Sequence, residues 1–218
     1  TTLFRSLGDV APEPGWVERP FDVPGLGPVA DLALAVTHAC ARTRGGRLIC
    51  WGRGTFGELS SGARRGGLVD VPLEDVSDLA TDLGRTCAIA GERLLCWGRS
   101  LASCGPGSEC GLDSCEPPCC SPEPRVVERA GIVRGLALGD DGAAGLDAQG
   151  RARRVSGEGG EPEPWDEEVV LVALAGTSGC ALDAASRVRC WGPVAASLDA
   201  NAVESARPRG RAVPLLRR

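Results

Sequence analysis

The chain has 218 residues, a net charge of −5 and no Lys, so all 24 of its basic residues are Arg. This length suits one large domain or two small ones. The acidic balance leaves no basic field for a phosphate backbone, and we therefore expect no nucleic-acid partner. The longest apolar run, 169–176, is far shorter than the roughly 20 residues that cross a bilayer, which predicts no membrane-spanning segment.

The composition favours short strands over helices. The 31 Gly and 16 Pro residues indicate many turns. Only 4% of the residues are aromatic, so the core must be built mainly from Ala, Val and Leu. We therefore expect an all-β fold.

Four copies of one hairpin follow one another along the chain. Three of them, 38–52, 85–98 and 178–192, consist of an apolar run, a turn and a second apolar run that ends in Cys-Trp-Gly. In the degenerate copy, 139–156, Ala144 and Arg154 replace the two cysteines. The first Cys positions, 40, 87, 144 and 180, are 47, 57 and 36 residues apart, which is the size of a propeller blade. An aliphatic residue followed by Ala precedes each hairpin, at 32–33, 79–80, 136–137 and 172–173.

The hairpin lengths place the two cysteines of a copy opposite each other. Cys40 and Cys50 enclose the three-residue loop 44–46, whereas Cys87 and Cys96 are one residue closer and enclose the two-residue loop 91–92. Cysteines directly opposed on antiparallel strands are close enough to bridge, and the degenerate copy has lost both members together. We therefore predict three disulfides, each contributing roughly 2–3 kcal/mol to stability: Cys40–Cys50, Cys87–Cys96 and Cys180–Cys190.

A Gly-, Ser- and Pro-rich insert at 104–120 follows the second hairpin. It carries five cysteines: Cys104, Cys110, Cys115, Cys119 and Cys120. The insert contains no C-x-x-C pair and no His, which disfavours a zinc site. We predict two local disulfides of undetermined connectivity and one unpaired thiol. The insert is either a recognition loop on a rigid scaffold or a tolerated insertion without a role.

The segment after the first hairpin, 51–60, reads Trp-Gly-Arg-Gly-Thr-Phe-Gly-Glu-Leu-Ser. It resembles the Trp-Gly-x-Asn-x-x-Gly-Gln-Leu-Gly signature of the regulator of chromosome condensation repeat, with Gly54 in place of the Asn. The stretch 33–40 resembles the run that leads to this family's Gly-x-x-His-Ser/Thr-x-Ala-Leu motif. The resemblance is weaker in the later copies, since the third lacks Trp-Gly and the second and fourth lack Gly-Gln-Leu-Gly.

This resemblance implies a β-propeller of four-stranded blades, of a bacterial secreted variety with paired cysteines. Complete propellers of the family usually have seven blades, so four copies imply a partial or open propeller, or part of a longer one. The whole chain is then one propeller region, in which 1–27 ends a preceding repeat. The repeats themselves are expected at 28–74, 75–130 (with the insert), 131–167 and 168–218. The recurrence of Trp51, Trp97 and Trp191 at one repeat position predicts packing between blades.

Three further motifs have simpler explanations than a chemical site. The stretch 52–57 satisfies G-x-G-x-x-G, but the Ser-, Gly- and Arg-rich chain after it favours a blade turn over a nucleotide-binding helix. His38, the only His, is interpreted as a repeat-position residue at the entry to a strand. Asp140-Asp141 indicates a turn, and the acidic residues 166–168 indicate a solvent-exposed segment that leads into a strand. Neither pattern favours a glycosidase or calcium site. The sequence therefore predicts no catalytic residue, metal or cofactor.

A non-catalytic protein-binding module or scaffold explains these features best. The predicted disulfides place it outside the cytoplasm: extracellular, on the cell surface or in the periplasm. The resemblance also implies a narrower hypothesis, inhibition of a secreted enzyme. Two alternatives stay open: a carbohydrate-binding or hydrolytic propeller, which the lack of Tyr and the single Asn disfavour, and a structural spacer within a longer surface protein. The sequence does not identify the partner protein or the binding face.

Overall fold

The computed structural model describes residues 10, 20–60, 65–100, 119–128, 130–140, 142–156, 169–192 and 211–212. Throughout this part of the chain the regular structure is β-strand, and no α-helix occurs. Accordingly, the described residues contain no helix long and apolar enough to span a membrane. The predicted all-β fold is confirmed.

The strands form four antiparallel sheets in which hydrogen-bonded neighbours follow one another in sequence. The first sheet consists of β1 (Val29–Leu34), β2 (His38–Thr43), β3 (Leu48–Arg53) and β4 (Arg65–Val71). The second consists of β5 (Val76–Asp82), β6 (Arg85–Ala90), β7 (Arg93–Arg99) and β8 (Cys120–Val126). The third has three strands in the described residues, namely β9 (Arg134–Gly139), β10 (Gly142–Leu146) and β11 (Ala152–Ser156). The fourth consists of β12 (Val169–Ala175), β13 (Ser178–Asp183), β14 (Val188–Trp191) and β15 (Arg211–Ala212).

The turn between the second and third strands sets the register of each hairpin. In the first sheet, the N–H of Thr43 donates to the Arg47 carbonyl at 2.8 Å and closes a three-residue loop. Gly46 ends this loop with φ +85°, a left-handed conformation that favours glycine. In the second sheet, Ala90 pairs directly with Arg93, and Gly91 opens the two-residue turn with φ +62°. Both loops have the lengths that the sequence predicts.

This register places the hairpin cysteines directly opposite each other. Cys40 pairs with Cys50, Cys87 with Cys96, and Cys180 with Cys190. Their sulfur atoms are 2.09, 2.06 and 2.12 Å apart, respectively. In the third sheet, Ala144 and Arg154 are opposed in the same way. All three predicted pairs therefore lie at disulfide distance.

The two faces of a sheet contact different neighbours. The forward face carries the cysteine positions and packs on the following sheet, as Cys40, Leu48 and Cys50 pack in one cluster with Leu79 and Trp97. The rear face carries the Trp position and packs on the preceding sheet. The same arrangement recurs in the next two clusters, in which the forward residues are Cys87, Leu94, Ala144 and Ala152 and the rear residues are Leu138, Ala143, Val172 and Trp191.

Packing between blades thus accounts for the recurring Trp. Trp97 and Trp191 contact the sheet before their own. Trp51 has no preceding sheet in the described residues and packs instead with Val10 and Leu26, which come from the segment before β1, and with Leu68. The N-terminal segment therefore covers part of the surface that a preceding blade would cover.

The third sheet offers a direct test of this register. The double variant Ala144→Cys with Arg154→Cys should form a new disulfide, because the two residues are paired across β10 and β11 at the cysteine position of the repeat. Peptide mapping by mass spectrometry without reductant should recover the 144–154 bridge. The single variant Ala144→Cys is the control and should retain a titratable thiol. A double variant with two free thiols would show that the register of the third sheet is wrong.

Candidate interaction surface

The turns between the first and second strands gather at one end of the propeller, which we call the insert end. It comprises the turns 35–37, 83–84 and 176–177 and the turn residue Asp140, together with Ser100, where the described chain stops before the insert. Ser100 belongs to this end because the N–H of Arg99 donates to the Gly84 carbonyl at 2.8 Å. The insert therefore leaves the second sheet beside the 83–84 turn.

Hydrogen bonds between neighbouring sheets join these turns to one another. Between the first and second sheets, His38 Nε2 lies 2.8 Å from Thr86 Oγ1. Between the second and third, Arg85 Nη1 donates to the Gly139 carbonyl at 3.3 Å. Between the third and fourth, the N–H of Asp140 donates to the Gly176 carbonyl at 2.8 Å. The insert end is therefore cross-linked at every described boundary between sheets.

Arg85 also fixes the base of the insert. This buried guanidinium donates to the carbonyl oxygens of Arg99 and Ser100, both at 3.0 Å, and pairs with Asp82 at 3.2 Å. Burial raises the pKa of Asp82 to about 6 although the Arg85 charge opposes the rise. The N–H of Ser100 then donates to the Cys119 carbonyl at 2.7 Å and closes the base. Ser100 and Cys119, the described residues on either side of 101–118, are thus held next to each other.

Glu58 joins the first and second sheets beneath this surface. Its carbonyl accepts hydrogen bonds from Thr86 Oγ1 at 3.0 Å and from Trp97 Nε1 at 2.9 Å. Its carboxylate accepts from the N–H of Phe56 at 2.6 Å, and the side chain is fully buried. Burial raises the pKa of this carboxyl to about 7.

His38 lies in the same network as a neutral ring. Since the Thr86 hydroxyl donates to Glu58, His38 must donate from Nε2 to Thr86 and accept at Nδ1 from Thr37 Oγ1, 3.1 Å away. Burial lowers the pKa of His38 to about 4, so protonation does not disturb this arrangement near neutral pH. The structure thus places His38 at the entry to β2, as predicted, and gives it a packing role between blades.

Two apolar side chains are exposed at the insert end. Val36 is 74% exposed and Leu83 48% exposed, and each lies at the tip of a turn between the first and second strands. Exposed aliphatic residues on adjacent, cross-linked turns next to an insert have the character of an interaction surface.

Two turns at the opposite end of the propeller are held by local polar contacts. The side chain of Asp183 accepts hydrogen bonds from the N–H groups of Ala185 and Arg187, both at 2.9 Å, and pairs with the Arg187 guanidinium at 2.7 Å. The backbone hydrogen bond from Arg187 holds the pKa of Asp183 below its usual value. Asp147 and Arg151 form the same turn in the third sheet. These acidic residues therefore stabilise turns.

The structure describes only part of the predicted cysteine-rich insert. Cys119 and Cys120 are both disulfide-bonded and buried at the start of β8. Cys104, Cys110 and Cys115 lie outside the described residues, so the predicted connectivity stays open.

The described residues contain no group of His, Cys, Asp and Glu that could hold a metal ion. Residues 52–57 end β3 and enter a turn, not a helix, so the dinucleotide motif lacks the structure it requires. Asp140 belongs to a turn, as predicted, whereas Asp141 and 166–168 lie outside the described residues. Sequence reasoning missed the role of Arg85, because only its position in the repeat was visible.

Residues 36–58 match the family model of the Regulator of chromosome condensation (RCC1) repeat. The chain carries an RCC1 repeat. No curated protein matches the chain significantly. The matched segment contains residues 36 and 37 of the 35–37 turn, together with His38 and Glu58. This repeat therefore supplies the first turn of the insert end.

Solved structures show the same architecture. Human WBSCR16 has a TM-score of 0.61 and 18% identity, covering 78% of this chain and 48% of that one. Yeast RCC1 (Prp20), solved with Kap60, has a TM-score of 0.60 and 15% identity, covering 81% of this chain and 46% of that one. The ectodomain of the Physcomitrella patens receptor kinase CR4 has a TM-score of 0.53 and 21% identity, covering 76% of this chain and 39% of that one. The sheets thus have the fold of an RCC1-type propeller, and the chain spans about half the length of the first two structures.

Glu58 should make the stability of this RCC1-type unit depend on pH. The signature has Gln at this position, which carries no charge when buried. Because folding raises the pKa of Glu58 from 4.5 to about 7, its stabilising contribution is fully present below pH 4.5 and is lost as the pH rises through 7. The variant Glu58→Gln should remove this loss and be more stable than the unmodified chain at pH 8, by up to about 3 kcal/mol.

Urea unfolding of both proteins between pH 4 and 9 measures this difference. The contribution of His38, which is lost as the pH falls from 6.5 through 4, is common to both proteins and cancels in the comparison. A constant difference across the range would contradict the prediction.

Proposed function

We propose that this chain is a non-catalytic protein-binding module that acts outside the cytoplasm and binds its partner at the insert end. The observation that carries the proposal is the placement of exposed Val36 and Leu83 on adjacent turns beside the fixed base of the insert. Burial of each side chain in a complex would contribute roughly 1.5–3 kcal/mol.

Rigidity supports binding at this end. The turns are joined across sheet boundaries through His38, Arg85 and Asp140, so little conformational freedom remains to be lost in a complex. At the opposite end, by contrast, two of the described turns are occupied by the ion pairs Asp147–Arg151 and Asp183–Arg187. A preorganised surface with a central apolar pair and a neighbouring loop is typical of protein recognition.

The comparisons are compatible with a protein partner. Yeast RCC1 (Prp20) was solved bound to Kap60, and a second structure of Prp20p concerns its binding properties to Gsp1p and histones. These partners belong to Prp20, and only the use of this fold for protein binding is transferred here. The net charge of −5 also favours a protein over a nucleic acid as the partner of this chain.

Charged substitutions at the insert end should abolish binding. The variants Val36→Asp and Leu83→Asp each place a charge in the proposed contact, and we expect partner capture to weaken at least about tenfold. Val126→Asp is the matched control, because Val126 is an exposed aliphatic residue at the far end of β8 in the second sheet.

In the assay, the oxidised protein is immobilised and exposed to the culture fluid or envelope fraction of its host. The affinity of each captured protein is then measured by surface plasmon resonance. Equal loss of binding in all three variants would contradict a site at the insert end. Inhibition of a secreted enzyme is the narrower form of the proposal, and it requires that the captured partner be an enzyme whose activity falls on binding.

The oxidising location has its own test. Three cysteine pairs lie at disulfide distance, and disulfides persist outside the cytoplasm. Peptide mapping of protein isolated from its native compartment, alkylated before lysis, should recover the bridges 40–50, 87–96 and 180–190. Six alkylated thiols would show instead that the chain works in a reducing compartment.

A further inference from the structure

The segment 54–58 follows β3 of the first sheet and lies against the second sheet. The ring of Phe56 packs on Gly84, and it occupies the space that a side chain at Gly84 would need, since a Cβ there would lie 2.5 Å from the ring. Gly57, with φ +84°, approaches the backbone of Pro122 on β8 with the same closeness. The segment therefore bridges the boundary between the first two sheets and covers part of the insert end.

Glu58 fastens this segment through both its backbone and its side chain. Its carbonyl accepts hydrogen bonds from Thr86 Oγ1 and Trp97 Nε1 of the second sheet, at 3.0 and 2.9 Å. Its carboxyl Oε2 accepts from the N–H of Phe56 at 2.6 Å. The residue that packs on Gly84 is thus held by a side chain that can gain or lose a charge.

The surroundings of the Glu58 carboxyl favour its neutral form. The side chain is fully buried, and Oε1 has no hydrogen-bond partner in the structure. An ionised oxygen at such a position loses its hydration without a replacement. Burial raises the pKa of Glu58 to about 7, although backbone hydrogen bonds and the Arg53 charge lower it. The RCC1 signature has Gln at this position, a neutral side chain of the same length.

The neighbouring strands supply little charge to balance an ionised carboxyl. Among the described residues, Arg53 is the charged side chain that acts on Glu58. His38 of β2 is neutral near pH 7, because burial lowers its pKa to about 4. The second sheet approaches with the Thr86 hydroxyl and the Trp97 indole on β6 and β7, and with an uncharged proline on β8. The ionised carboxyl therefore favours conformations in which water reaches it.

We propose that the segment 54–58 is a pH-operated latch on the insert end. While the Glu58 carboxyl is neutral, the segment lies on the second sheet and holds Phe56 over Gly84. When the carboxyl ionises, the segment opens towards solvent and uncovers Gly84. The buried cluster of this boundary contains no residue of 54–58, so it continues to join the two sheets and the opening is local. Both surfaces belong to one boundary within the chain, and the inference does not depend on the proposed function.

Rising pH should open the latch. In the closed segment the pKa of Glu58 is raised from its ordinary value of 4.5 to about 7. The stabilisation of the closed form is therefore fully present below pH 4.5 and is lost as the pH rises through 7. For these two values, the equilibrium constant for opening should rise about tenfold between pH 6 and pH 8.

Hydrogen exchange measured by NMR at pH 6, 7 and 8 tests the latch on the oxidised full chain. The Phe56 amide and the Trp97 indole N–H both donate to Glu58, so both report the opening. After division by the intrinsic rate of an unprotected group, their exchange should accelerate about tenfold from pH 6 to pH 8. Glu58→Gln should abolish this acceleration. Asp82→Asn, at another buried carboxyl, is the matched control and should retain it.

Low concentrations of urea distinguish a local opening from global unfolding in the unmodified chain. A local opening exposes little surface, so exchange of the Phe56 amide should be insensitive to urea, whereas exchange of amides in β6, which is paired on both sides, should accelerate. Equal exchange rates and equal urea dependence for both sets of protons would show that only global unfolding occurs and would overturn the latch. An unmodified chain without the acceleration, or an acceleration that persists in Glu58→Gln, would overturn it as well.

Discussion

The structure depends on the burial of both faces of every sheet. Aromatic residues are scarce, so the boundaries are filled by small and aliphatic side chains, joined by a cystine and Trp97 at the first, a cystine at the second and Trp191 at the third. Such a core is thin, and its stability comes from apolar area removed from water at successive boundaries rather than from one large cluster. Repetition follows from this constraint, because a sheet that presents cysteines forward and Trp backward fits another sheet of the same kind. It also explains why Leu32 and Leu34 are exposed on the first sheet, which has no preceding sheet among the described residues.

Polar groups enter this apolar stack at the boundaries, where they are satisfied by the neighbouring sheet. The Glu58 carbonyl accepts two hydrogen bonds from the second sheet, and Arg85 donates to a carbonyl of the third. A buried polar group stabilises a boundary only when it is paired, so these contacts specify how two sheets dock. The Glu58 carboxyl is one exception, because Oε1 has no hydrogen-bond partner and burial raises its pKa to about 7. Asp82 is another, since Oδ1 has no partner and burial raises its pKa to about 6. The stability of the sheet boundaries therefore depends on pH through these two buried carboxyls.

The proposed binding surface and the lateral faces follow from the same geometry. Radial stacking of sheets directs strands sideways toward their neighbours and brings turns together at the two ends, so packing and recognition occupy different parts of the molecule. The described chain stops before the insert at one of these ends, because the last residue of β7 lies beside the 83–84 turn.

The sequence by itself determined the all-β class, the four hairpins, their loop lengths and the opposition of their cysteines. These are local properties, since a hairpin places residues about ten apart in contact and its register depends on the turn. Only the tertiary structure showed that Arg85 holds the base of the insert, that Glu58 is buried, and that Leu32 is exposed although Leu79 is not. Those properties depend on which sheet lies next to each face. The distances along the chain are long, 28 residues from Glu58 to Thr86 and 54 from Arg85 to Gly139, and no pattern within one repeat encodes them.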